Sequence, residues 1–418
     1  MHQTVREFFR PNGPTSQSIL QVDSNEAQRR ISTACIRYLM LCTAKTSSID
    51  QQAGSNSWKP ENFEAYAKYL KGRPFLKYVL ENTKRHLQKC GQIAQDSKLV
   101  SQLCEKLNES PTAVFLLGNW IDQDWRQRVT TCQEISYGED FRTELLHTAT
   151  RMKYPQVVEA LLIAGAQVEA CLDGKTPLMV TAEIGDLATA RLLLDRGALT
   201  AMKDGKKQTA LHLAAANGHS SVASLLIDRG AEKEAKNAEK QTALHLAAAN
   251  GHSTVVRLLI DRSADKEAKD TEKQTALHLA AANGHNSTLK LLVDKGADKE
   301  AKDVLGWKAL HTAAWNGHEA TILMLVQNLG ASKEGRDEWG WTALHVAVMN
   351  GCDAASRLLV QDLGADKEAK DDVGWTALHF AAALGLEDTA QLLIKTLDVD
   401  RDAEDDERET AQDLAQEW

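Results

Sequence analysis

Along residues 241–273, apolar positions fall in two short blocks split by Asn250-Gly251. Leu244, Ala247 and Ala248 share one helical face in the first block, and the small alanines predict two helices in close approach. Thr242 stands where an N-cap residue accepts from an unpaired backbone N–H, and Gly251 supplies the left-handed residue that ends a helix. The second block predicts another helix, with Val255, Val256, Leu258, Leu259 and Ile260 as its buried stripe. KEAKDTEK, from Lys266 to Lys273, shows no apolar period and predicts a solvated hairpin.

This unit recurs. QTALHLAAANGH occurs three times unchanged, starting at Gln208, Gln241 and Gln274. Related copies begin at Trp307, Trp341 and Trp375, weaker ones at Thr143 and Lys175, and a truncated ETAQDLA at Glu409, in steps of 32 to 34 residues. Self-similarity at such a period marks stacked supersecondary units. The period and the T-x-L-H-x-A core resemble the ankyrin repeat, in eight full copies and a C-terminal half-copy. The resemblance implies an all-α solenoid of helix-turn-helix repeats with short β-hairpin loops over residues 141–418, built for binding protein. It also implies that Thr and His of the core bond each other and that the His bonds neighbouring backbone. Thr209/His212, Thr242/His245, Thr275/His278, Thr342/His345 and Thr376/His379 match. Met179 replaces the His of repeat 2 and Lys308 the Thr of repeat 6, so those networks should be incomplete. Ser263 stands where Gly230 and Gly296 cap second helices, at a cost of about 1 kcal/mol if its backbone is left-handed. The 34-residue steps place their extra residue at the end of the second helix, in VQNLGA, VQDLGA and IKTLDV.

Residues 1–140 lack the period and predict a small α-helical domain, with Ile31, Ala34, Cys35, Tyr38, Leu39 and Cys42 at helical spacing. HQTVREFF at 2–9, IxxxCIRYLML from Ile31 to Leu41 and PFLKYxxxxxxxHL from Pro74 to Leu87 resemble the helical connector of fungal NACHT–ankyrin proteins. Thr83 departs from the Trp usual there. That resemblance implies the sensor and scaffold part of an NLR-like nonself-recognition system, with an NTPase domain upstream in the full-length protein. The other reading is a free-standing cytoplasmic adaptor that anchors or sequesters a partner.

Composition narrows the partners. No apolar run approaches the roughly 18 to 20 residues of a membrane span, so the sequence predicts a soluble protein of the cytoplasm, with the nucleus also open. Residues 141–418 hold 31 basic against 43 acidic side chains, an excess that repels a phosphate backbone and argues against nucleic acid. Seven scattered cysteines without a CxxC pair predict reduced, packed thiols. Asp173-Gly174-Lys175-Thr176 resembles the tail of a phosphate loop, but Glu169 occupies the place of the first glycine, and the segment aligns with a repeat hairpin. Of 13 histidines, seven sit in the core slot and four follow Asn-Gly or its equivalent in a repeat, which predicts structural imidazoles and no enzyme, metal or cofactor site.

Trp307, Trp341 and Trp375 replace the Gln of the identical copies, each preceded by Gly in place of Lys207, Lys240 and Lys273. In the family this resembles, the position before the Thr and the two positions before the helix-ending Gly vary with the target. Trp315 and Met349 belong to the latter. The expectation is a protein-binding ladder of indoles about 10 Å apart in repeats 6 to 8. The same indoles can instead pack on the next finger and stiffen the stack.

Overall fold

The computed structural model describes residues 57–58, 135–136, 139–151, 153, 155–163 and 166–415. The helical connector expected over 1–140 lies outside them, except that Ser57–Trp58 and Ile135–Ser136 pair antiparallel, Trp58 opposite Ile135. From Glu139 onward the elements are helix pairs: α1 (Glu139–Arg151) with α2 (Pro155–Ile163), α3 (Pro177–Ile184) with α4 (Leu187–Asp195), and α5 (Ala210–Ala216) with α6 (Ser220–Asp228). They continue as α7 (Ala243–Ala249) with α8 (Ser253–Asp261), α9 (Ala276–Ala282) with α10 (Asn286–Asp294), and α11 (Ala309–Trp315) with α12 (Glu319–Leu323). The last are α13 (Ala343–Met349) with α14 (Asp353–Arg357), α15 (Ala377–Ala383) with α16 (Glu387–Lys395), and the single α17 (Ala411–Ala415). The described residues fall into two units, the second formed by residues 182–187 and 199–415. In the second, each first helix packs on the next, so an all-α solenoid is built.

Local chemistry explains the helices. Thr242 is an extended N-cap that closes a capping box with His245 at N3, and Gly251 at φ +74° ends the helix. Ala247 and Ala248 are fully buried, as are Val255, Val256 and Leu259. Leu258 and Ile260, expected in the same stripe, are only half-buried, because a nine-residue helix turns too wide an arc for one core to cover. The extra residue of the 34-residue steps is absorbed by wide turns. Met324–Asn328 and Leu358–Asp362 are π-helical, and the N–H groups of Leu329, Leu363 and Leu397 reach back five residues to Met324, Leu358 and Leu392.

Two histidine systems tie the repeats. His245 Nε2 donates to Gln274 O at 3.1 Å in the following repeat, while the Thr242 N–H donates to His245 Nδ1 at 3.2 Å. An acceptor on Nε2 and a donor on Nδ1 fix the neutral Nε2–H tautomer. His212, His278 and His311 repeat this geometry onto Gln241, Trp307 and Trp341 carbonyls. The histidine after Asn-Gly points backward: His252 and His285 donate to Ala216 and Ala249 carbonyls at 3.0 Å each. The two expected gaps are present in altered form. Thr176 N–H meets Met179 Sδ at 3.4 Å, and Lys308 turns its Nζ to Glu300 Oε2 at 2.7 Å.

The Lys/Glu runs, expected as solvated tips, form a second ladder. Lys266, Lys299 and Lys367 donate to the carbonyls of Lys295, Leu329 and Leu397, each at the end of the next repeat's second helix. These are the acceptors that a helix C-terminus leaves unpaired. Glu234, Glu267, Glu300, Glu334 and Glu368 accept the backbone N–H of Asp265, Asp298, Ser332, Asp366 and Asp400 in the next repeat.

Candidate partner-binding face

Each finger is organised by one carboxylate or amide. Asp270 Oδ1 accepts from the Glu272 and Gln274 N–H groups at 2.9 and 2.8 Å, an Asx turn that places residue 272 at the tip. Asp303, Asp337 and Asp371 repeat it in the fingers that enter repeats 6, 7 and 8. Neighbouring fingers are joined by backbone: Thr271 N–H donates to Glu239 O at 3.0 Å, Val304 N–H to Glu272 O at 2.9 Å, and Asp372 N–H to Trp339 O at 3.1 Å. Equivalent tip residues therefore lie side by side.

The indoles sit at the base of this row. Trp307, Trp341 and Trp375 are half-buried. Their Nε1–H groups donate to Asp337, Asp371 and Asp405 Oδ2 of the following finger at 3.1, 3.2 and 3.0 Å. Asp337 thus takes three hydrogen bonds, and burial still holds its carboxyl above the ordinary range. The structure brings Trp307 and Trp315 together, with ring centroids 5.5 Å apart, and sets both Trp341 and Trp375 in edge-type contact with Phe380 at 5.6 and 5.1 Å. Trp315 and Met349 are also half-buried. One edge of each ladder indole is thus committed to the next finger.

Residues missed in the sequence complete the face. At the tip position, Lys206, Glu239 and Glu272 give way to Leu305, Trp339 and Val373, before Glu407 returns to charge. Leu305, Trp339 and Val373 are 39%, 43% and 56% exposed. Trp339 lies against Trp341 with centroids 4.9 Å apart, joining tip to base as one aromatic surface. The signal was the column two residues after the finger's Asp, read down the repeats. The switch from Lys to Gly has a cause here: at Gly340, φ is +79°, and a Cβ would fall 2.4 Å from Asp372 Oδ1 and 2.9 Å from its backbone N. Gly374 is as tightly met, by the Asp406 backbone N at 2.7 Å.

Other chemistry is absorbed by the scaffold. Leu172 and Lys175 exchange two backbone hydrogen bonds of 3.0 Å around Asp173 and Gly174, both at positive φ, so DGKT is a tight hairpin. Burial lowers the imidazoles of His147, His212, His245 and His278, and pushes those of His311 and His345 down to about 4. Among the described residues no helix is long and apolar enough to cross a membrane.

No curated protein matches the chain. The family profile described as ankyrin repeats (3 copies) matches residues 145–237, 199–270, 244–337 and 310–405, the segments in which the capping boxes, the paired helices and the fingers recur. With most of its length matched and the repeat geometry present throughout the match, the chain belongs to the ankyrin-repeat family and is a protein–protein interaction module.

Proposed function

We propose that repeats 6 to 8 hold the partner-binding surface, with Leu305, Trp339 and Val373 as exposed anchors and Trp307, Trp315, Trp341, Met349 and Trp375 as its floor. The observation that carries this is the change at three consecutive finger tips from charged to apolar, with Trp339 joined by backbone to the next finger through the Asp372 N–H and Val373 through the Asp406 N–H. Scattered exposed apolar residues need no explanation, whereas a joined row marks an interaction surface. Aromatic anchors held in fixed rotamers also lose little entropy on binding. The indole N–H bonds of Trp307, Trp341 and Trp375 to the next finger hold rigid the floor on which the anchors stand, so the structural and recognition roles of the ladder coexist.

The test substitutes Leu305→Glu, Trp339→Glu and Val373→Glu together, installing the residue found at the tips of Glu239, Glu272 and Glu407. Capture of partner from a lysate of the source cells should fall at least tenfold with the melting temperature unchanged. Undiminished capture would remove the proposal.

We further propose that the array serves as the sensor of a NACHT-type cytoplasmic signalling system, as the connector resemblance at 2–9, 31–41 and 74–87 suggests. The genomic sequence ahead of the Met1 codon decides this. An open frame encoding a phosphate loop supports it, and a promoter in that place favours the free-standing adaptor.

A further inference from the structure

Charge at the finger tips narrows the chemistry of the partner. Fingers 3 to 5 carry a base beside the tip, at Lys207, Lys240 and Lys273, and this base compensates Glu239 and Glu272. In fingers 6 to 8 that position is glycine, because the next finger approaches too closely for a side chain. The bases are lost, while exposed acids enter on the other side of the tip at Glu338 and Asp372 in fingers 7 and 8 and at Asp406 in the finger that follows, finger 6 having Val304 there. Two of the other bases of these fingers are bonded to backbone of the next finger, Arg336 to Lys370 O at 2.8 Å and Lys370 to Glu404 O at 2.7 Å, while Lys302 is exposed. Trp339 and Val373 therefore each have an exposed acid and no base directly beside them on the tip, with Asp406 on the next finger, within a repeat region already rich in acid.

We propose that the occupant is an extended protein segment in which apolar anchors alternate with lysine or arginine. This rests on the finger-face reading above and adds the sign of the charge and the spacing. Equivalent positions on stacked repeats lie about 10 Å apart, and an extended chain in the polyproline II conformation advances about 3.1 Å per residue with three residues per turn, so every third side chain returns to the same face about 9 Å on and can serve as an anchor. The intervening bases meet Glu338, Asp372 and Asp406, an arrangement that speeds encounter and excludes acidic competitors.

Three fluorescent twelve-residue probes test this on the full chain: Leu-Lys-Ser, Leu-Glu-Ser and Ser-Lys-Ser, each repeated four times. Fluorescence anisotropy should show binding of the first alone, weakening as salt is raised. Glu338→Lys with Asp372→Lys and Asp406→Lys should weaken it by about tenfold or more, as loss of three exposed pairings predicts, and should admit Leu-Glu-Ser. Glu338→Lys alone, at an exposed position, should give the same direction if the triple variant misfolds. Equal binding of the acidic and basic probes, no binding of Leu-Lys-Ser, or indifference to both variants would overturn the inference. Such a result alongside loss of lysate capture in the tip-to-Glu protein leaves the finger face standing and removes only the basic partner. Capture unchanged by the tip substitutions removes both.

Discussion

Lowering the pH from 7 to 5 should destabilise the array through its buried histidines. His311 and His345 are neutral in the fold because Nδ1 accepts from backbone N–H and Nε2 donates to a carbonyl, with no solvent to receive a second proton. Burial lowers each from 6.5 to about 4. The unfolded chain binds these protons near pH 6.5 and the folded chain does not, so stability is complete above 6.5. It is then lost as pH falls, and the loss levels off below 4. At about 1.4 kcal/mol per pH unit, the two histidines together cost about 4 kcal/mol at pH 5. His147, His212, His245 and His278 shift in the same direction and add to this. Glu300, which is also lowered, begins to lose stability only beneath 4.5, and Asp337, which is raised, works in the opposite sense, so the window from 7 to 5 isolates the imidazoles. Urea titrations followed by far-UV circular dichroism should show the midpoint about 1 M lower at pH 5. An equal or higher midpoint would refute the argument that these imidazoles are held neutral by the inter-repeat bonds.

Ser263, at φ +64°, occupies the left-handed cap position, so Ser263→Gly should raise the unfolding free energy read from urea titration by about 1 kcal/mol or less; a lower midpoint at unchanged slope would reveal a bond made by the hydroxyl. Gly340→Ala should cost more than Gly230→Ala, by about 1–3 kcal/mol in thermal melting, since the first meets Asp372 and the second meets open space at a similar φ. Similar losses at the two sites would show that the fingers part easily. Calorimetry with ATP should give no heat of binding, because Lys175 belongs to a closed hairpin; micromolar affinity abolished by Lys175→Ala would contradict this.

The repeats were legible because their determinants are residue types at fixed offsets: a capping Thr, a His three positions on, and a Gly at positive φ. The Lys/Glu ladder was not legible, since Lys266 and Glu267 are bound to backbone atoms of Lys295 and Asp298, and a carbonyl or N–H leaves no mark in residue identity. The second-helix stripe was drawn too wide because Leu258 and Ile260 are as apolar as Leu259, and hydropathy does not say how far a neighbouring helix reaches. Trp307, Trp341 and Trp375 stood out by position, yet their Asp partners lie 30 residues on and only stacking pairs them. Trp339 escaped notice because alignment on the Thr placed it among finger residues read as solvent-facing.

Amide hydrogen exchange of the full chain with and without its captured partner tests the central claim most directly. Binding on the apolar fingers predicts new protection concentrated at residues 304–307, 338–341 and 372–375, with the equivalent segments 238–241 and 271–274 unchanged. Protection confined to the charged fingers of repeats 3 to 5, or to the second helices, would contradict it.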